Sequence, residues 1–183
     1  MSRSLSSSLL VVLALTLFVL QGVLAAIRPG LYAIAAEDDL YLSIGPVPPI
    51  FPPPDVPARL FRQGESREQV WEVKLAPGGY TIRQPGDRPF TYGLIQKYDA
   101  VFVSSEEARQ PWAVEEAGDN LYTIRAPYDD LLFTQTPEKS VQVHLKPATG
   151  AGIQRWRFVP ILEYSRPLGR LYGKSRFNLQ CAM

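Results

Sequence analysis

Few residues in this chain are equipped for chemistry. His144 is the single histidine and Cys181 the single cysteine, so a zinc centre or a Ser/His/Asp-type arrangement lacks its parts. Carboxylates come as adjacent pairs, Asp38-Asp39, Glu106-Glu107, Glu115-Glu116 and Asp129-Asp130. Neighbours on a strand point to opposite faces, which makes them poor acid–base couples. No Gly-rich phosphate turn follows a strand. What stands out instead is a segment suited to presentation. GPVPPIFPPPDVPARLFRQ, residues 45–63, holds seven of the chain's seventeen prolines and then two arginines, Arg59 and Arg62. Proline restricts φ and favours an extended polyproline conformation, so such a segment is stiff before it meets a partner. These residue types indicate a binding module that needs no metal or cofactor, not an enzyme.

The rest of the chain must hold that segment. Its 183 residues suffice for one domain with a real core, and its composition (46% hydrophobic, 20% charged) is that of a globular protein. A formal net charge of +1 implies no broad polyanion-binding surface, so no nucleic-acid partner is expected. The charge is unevenly placed: residues 27–160 carry 14 Lys/Arg against 17 Asp/Glu, whereas residues 161–183 have a net charge of +3.

Arg3, the apolar run LLVVLALTLFVL and the small residues of VLAA read as a secretory signal over residues 1–26. An uncleaved anchor is the competing reading, and the only one that would place the protein at a membrane. In both cases the remainder faces an oxidising compartment, and the cleaved form is secreted. One cysteine forms no internal disulfide, so packing alone must stabilise the fold. Cys181 lies two residues before the last position of a basic extension, residues 162–183, and is expected to be an incidental thiol or to pair with another chain.

A threefold repeat organises residues 27–161. Gln69-Val70-Trp71, Gln110-Pro111-Trp112 and Gln154-Arg155-Trp156 use all three tryptophans in one Gln-x-Trp motif. Tyr-x-Ile starts at Tyr32, Tyr80 and Tyr122 and precedes each of them. Both elements alternate at period two with aromatic and β-branched enrichment, the signature of strands. Gly78-Gly79 and Gly118-Asp119-Asn120 supply turns. Further strands are expected at Leu40–Ile44, Ala100–Ser104, Leu131–Thr134 and Val141–Lys146, and only Glu106–Gln110 has any helical character. The expectation is an all-β domain of three repeats, each of about four strands, with the tryptophans packed in a common centre and the glutamines satisfying backbone groups.

The pattern resembles the β-trefoil fold. From IRPGLYAI to WRFVPI the chain resembles the β-trefoil serine-protease inhibitors of mushrooms, of the cospin type. The landmarks are PGLYAI, VWEVKLAPGGYTI, AVFVSSEEARQPWAVEE and the closing VQVHLKP…WRFVPI. The signal-like N-terminus, the long proline segment and the basic tail depart from that family. More distantly, Gln-x-Trp resembles the ricin-type lectins, but the Gly turn followed by Leu-Asp expected of a lectin repeat is missing. Asp38 with Tyr41, or Asp129 with Tyr128, would be the remnants of a glycan site.

The inhibitor resemblance implies a reactive loop between the second strand of the first repeat and the next strand, where residues 45–63 fall. Preorganisation by proline lowers the ordering cost of docking into a protease cleft, and an arginine offered there suits a trypsin-like pocket with a buried carboxylate. On this expectation Pro57, Ala58, Arg59, Leu60 and Arg62 form the protease-binding loop, with Arg59 as specificity residue. Lys97, Arg109 and Lys139, in other expected loops, are the alternatives; the resemblance also allows a cysteine protease as target.

Overall fold

The computed structural model describes residues 27–66, 68–86, 91–105, 110–136 and 142–161. The expected signal segment, the basic tail, Cys181, Arg109 and Lys139 lie outside the described residues. Twelve strands are described: β1 (Gly30–Ala35), β2 (Leu40–Ile44), β3 (Val56–Arg62), β4 (Trp71–Ala76), β5 (Gly79–Arg83), β6 (Gly93–Lys97), β7 (Ala100–Ser104), β8 (Ala113–Glu116), β9 (Tyr122–Arg125), β10 (Leu131–Gln135), β11 (Val143–Pro147) and β12 (Arg157–Pro160). The one helical element among the described residues is a single 3-10 turn, Gly152–Gln154, too short to approach membrane-spanning length.

Consecutive strands pair as antiparallel hairpins, β2–β3, β4–β5, β6–β7, β8–β9 and β10–β11. β12 returns to β1 with Tyr32 opposite Pro160 and Ala35 opposite Arg157, which closes the barrel.

The Gln-x-Trp and Tyr-x-Ile motifs mark equivalent joints of this barrel. Tyr32 faces Trp71, Tyr80 faces Trp112 and Tyr122 faces Trp156. Each indole N–H donates to a main-chain carbonyl of the same hairpin layer: Trp71 to Leu42 at 2.9 Å, Trp112 to Leu94 at 3.1 Å and Trp156 to Phe133 at 3.1 Å. All three tryptophans are fully buried, and a buried indole needs such a partner. Phe133 stands edge-on to Trp112 (centroids 4.7 Å apart) and to Trp156 (6.0 Å), which joins the aromatics at one centre.

The glutamines hold the ends of the hairpins. Gln69 donates to the Arg62 carbonyl (2.7 Å) and accepts from the Gly64 N–H (2.9 Å). Gln154 donates to the Pro147 carbonyl (2.9 Å) and accepts from the Thr149 N–H (2.8 Å). Gln110 accepts from the Gln96 N–H at 2.8 Å. A buried amide that satisfies backbone groups in this way is structural.

Candidate functional site

The hairpins β2–β3, β6–β7 and β10–β11 occupy equivalent places, and their connections differ sharply. Lys97 faces Ala100, so β6 and β7 are joined by Tyr98 and Asp99 alone. β2 and β3 are joined by residues 45–55, which carry six prolines. The neck of this proline loop is closed by Gly45 N–H donating to the Pro57 carbonyl at 3.2 Å. Within it Ile50 N–H donates to the Pro48 carbonyl at 2.9 Å, a local turn that keeps the chain compact where most of its residues lack an N–H.

Residues 46–52 are exposed. Their large side chains are apolar: Ile50 is 61% and Phe51 79% exposed. At the returning end, the Lys97 ammonium lies 2.7 Å from the Asp55 carboxylate and 5.8 Å above the Phe102 ring. Burial pulls the Asp55 carboxyl upward, but hydrogen bonds from Lys97 and Ser104 outweigh it and hold the group below its ordinary value.

This geometry places the expected basic residues on a strand. Pro57, Ala58, Arg59, Leu60 and Arg62 are not in a loop; they form β3. Val56, Ala58 and Leu60 point into the core, while Pro57, Arg59 and Phe61 alternate to the other side. Arg59 faces Ser43 across β2 and bridges Gln142 on its other edge. The main chain of Arg59 is therefore paired within the sheet on both of its edges. Arg62 ends the strand, with its N–H donating to Glu65 at 2.9 Å. Lys97 likewise is a strand residue with a carboxylate partner, not a loop tip.

The carboxylates considered for a glycan site are each engaged by a glutamine from a neighbouring strand. Gln135 donates to Asp38 at 3.2 Å, and Gln96 donates to Asp129 at 2.6 Å. Tyr41 is a strand residue opposite Ala35 and Phe61, whereas Tyr128 is 83% exposed. Among the described residues no group of three or more His, Cys, Asp or Glu is placed to hold a metal ion.

Ile50, Phe51 and Tyr98 are exposed large apolar or aromatic side chains that belong to no repeated motif of the sequence. The available signal was the apolar pair Ile50-Phe51 set between prolines, where a purely solvated loop would have polar residues.

No family model and no curated protein matches the chain. Solved structures do resemble it. A proteinase inhibitor from Coprinopsis cinerea superposes with a TM-score of 0.60 at 16% identity, over 74% of this chain and 99% of the inhibitor. The Macrolepiota procera ricin B-like lectin, solved in complex with lactose, gives 0.56 at 13% identity, over 74% and 99%. The designed threefold-symmetric protein ThreeFoil gives 0.58 at 16%, over 72% and 99%. What these proteins share with this chain is its fold, a β-trefoil.

Proposed function

We propose that this protein is a secreted protease inhibitor that presents residues 45–55 to a serine protease. The observation that carries the reading is the proline loop itself: long, stiffened by six prolines, tied at both ends to the trefoil and exposing Ile50 and Phe51 at its tip. An inhibitory loop must arrive at the cleft already ordered, and this one loses little conformational freedom on docking. Solved neighbours with this fold include a proteinase inhibitor, which supports the same reading.

The apolar tip changes the specificity expected from Arg59. Phe51 suits a hydrophobic slot of the chymotrypsin kind, not a pocket with a buried carboxylate. The test is titration of the purified protein against chymotrypsin, with trypsin and papain in parallel. Stoichiometric loss of chymotrypsin activity supports the reading. Inhibition of trypsin alone would move the site to a basic residue such as Arg109 or Lys139. Inhibition of papain alone would change the protease class. Simple digestion within residues 45–55 would sink the proposal.

A glycan-binding reading draws on the exposed Tyr128 beside Asp129 and on the lectin among the solved neighbours. Glycan-array binding abolished by Asp129→Ala, together with inertness toward all three proteases, would favour it.

A further inference from the structure

Tyr98 occupies a position its side chain does not suit. It joins β6 to β7 at φ +58°, in the left-handed region, with its side chain 82% exposed. Glycine or asparagine satisfies such a turn without strain. The exposed ring returns no burial energy to the fold, so folding alone does not account for a tyrosine here. An aromatic held in a strained conformation at the surface points to contact with a partner.

Its surroundings extend the argument. Successive strand residues point to opposite faces, and the two residues before Tyr98 use this in opposite directions. Lys97 bonds Asp55 of the proline loop at 2.7 Å, and Gln96 bonds Asp129 of the β9–β10 connection at 2.6 Å. The Tyr98 turn is therefore fastened between two loops, each with its own exposed aromatic: Phe51 (79%) on one side and Tyr128 (83%) on the other. Two carboxylates that join no ion pair among the described residues stand near the tip: Asp99 follows Tyr98, and Asp129 accepts from Gln96. Asp130 is paired with Arg125 and Lys97 with Asp55, while the exposed Lys146 follows Leu145, whose N–H donates to the Asp99 carbonyl.

We propose that the proline loop, the Tyr98 turn and residues 127–130 form one protein-docking surface, with Tyr98 as its second anchor after Phe51. Its partner presents an apolar pocket for Phe51 beside a basic rim that meets Asp99 and Asp129. The inference rests on the protease-binding reading of the proline loop and enlarges its footprint. A protein fits the three exposed aromatics, and Gln96 itself is committed: its NH2 donates to Asp129 and its Oε1 is buried, so this amide is not free to receive a sugar hydroxyl.

The experiment compares wild type, Tyr98→Gly and the double variant Asp99→Asn/Asp129→Asn on a chymotrypsin biosensor surface at low and high salt. Melting temperatures are measured in parallel. Tyr98→Gly is expected to dissociate about tenfold faster with an unchanged or higher Tm, since glycine relieves the left-handed strain. A merely structural role would move both quantities the same way. The double variant keeps an oxygen for Gln96 and is expected to associate more slowly, with a flatter salt dependence.

Wild-type kinetics and salt dependence in both variants would overturn the inference and leave the inhibitor reading intact. Failure of wild type to bind chymotrypsin would overturn that reading, and this inference with it. A glycan-array signal lost in Tyr98→Gly while inhibition persists would assign the patch to sugar and overturn the proposal.

Discussion

Lys97, the last residue of β6, reaches across to the returning end of the proline loop and places its ammonium 2.7 Å from the Asp55 carboxylate. The pair bridges two hairpins that also meet through their strands, where Val56 faces Val103 and Pro57 faces Phe102. A partly exposed ion pair adds little to global stability, about 0–1 kcal/mol. Its effect is local: it fixes the direction in which residues 46–54 leave the barrel. Lys97→Met is therefore expected to shift Tm only slightly and to weaken chymotrypsin inhibition several-fold, as read from the inhibition constant. A large fall in Tm with unchanged inhibition would mean that the pair serves the barrel and not the loop.

The same pair sets a pH dependence. The Asp55 carboxyl is held below its ordinary value of 3.8 by Lys97 and Ser104. A group depressed in the fold contributes fully above its unfolded value and loses that contribution as pH falls through the folded one. Ordering of the loop should thus be constant from neutrality down to about pH 4 and should decline only below it. Hydrogen exchange of the Gly45 and Ile50 amides against pH, after correction for intrinsic rates, measures this. Asp55→Asn should abolish the transition; a transition that persists in that variant would assign it to another carboxylate.

Phe51 and Arg59 separate the site from its scaffold. Phe51→Ala removes a side chain that is 79% exposed, so Tm should hold while chymotrypsin inhibition falls about 30-fold or more, the loss of an anchor worth about 2 kcal/mol. Arg59→Ala, in β3 with both edges paired, should leave inhibition unchanged. Titrations of the two variants side by side test this. Loss of inhibition in Arg59→Ala at an unaltered Tm would restore the basic residue to the site.

The contrast between these residues also shows what was legible in the sequence. The Gln-x-Trp and Tyr-x-Ile spacing located the barrel joints, because a residue that must fill a common centre and bond a fixed carbonyl has little freedom to vary in type. β3 lies inside the proline-rich stretch, residues 45–63. Val56, Ala58 and Leu60 alternate inward as a strand should, but proline at 57 argues against one. Pro57 is tolerated because it lacks only an N–H; its carbonyl still accepts from Gly45. β6, Gly93–Lys97, is not legible in the sequence, because a short run beginning with glycine carries little period. Nothing local in the sequence places Asp55 beside Lys97 or Gln96 beside Asp129; those contacts depend on how distant hairpins are packed.

Trp112 tests the aromatic centre. It is fully buried, stands 4.7 Å from the Phe133 ring and donates to the Leu94 carbonyl. Trp112→Ala should cost about 3–5 kcal/mol, enough to threaten folding of a domain of ordinary stability. Trp112→Phe keeps much of the volume but orphans the Leu94 carbonyl, a loss of about 1–3 kcal/mol. Urea denaturation should rank wild type above Trp112→Phe above Trp112→Ala. Equal midpoints for wild type and Trp112→Phe would show that the indole bond contributes nothing net.

Gly79 and Gly118 share a positive φ, +146° and +83°, but not a neighbourhood. A Cβ at Gly79 would collide with the main-chain carbonyl of Trp112, at the joint where Tyr80 and Trp112 exchange both backbone hydrogen bonds at 2.8 Å. A Cβ at Gly118 would meet nothing within 4 Å. Gly79→Ala must therefore open a barrel joint as well as strain its own backbone, and should cost about 3 kcal/mol or more. Gly118→Ala faces only the left-handed conformation, at about 1–2 kcal/mol, and Gly118→Asn less, because asparagine enters that region more readily. Denaturation midpoints of the three variants measure the difference. The expected order is Gly118→Asn, then Gly118→Ala, then Gly79→Ala as the least stable. Near-equal midpoints for the two alanine variants would mean that the β4–β5 turn yields without disturbing Trp112, and that the joint is softer than its short hydrogen bonds imply.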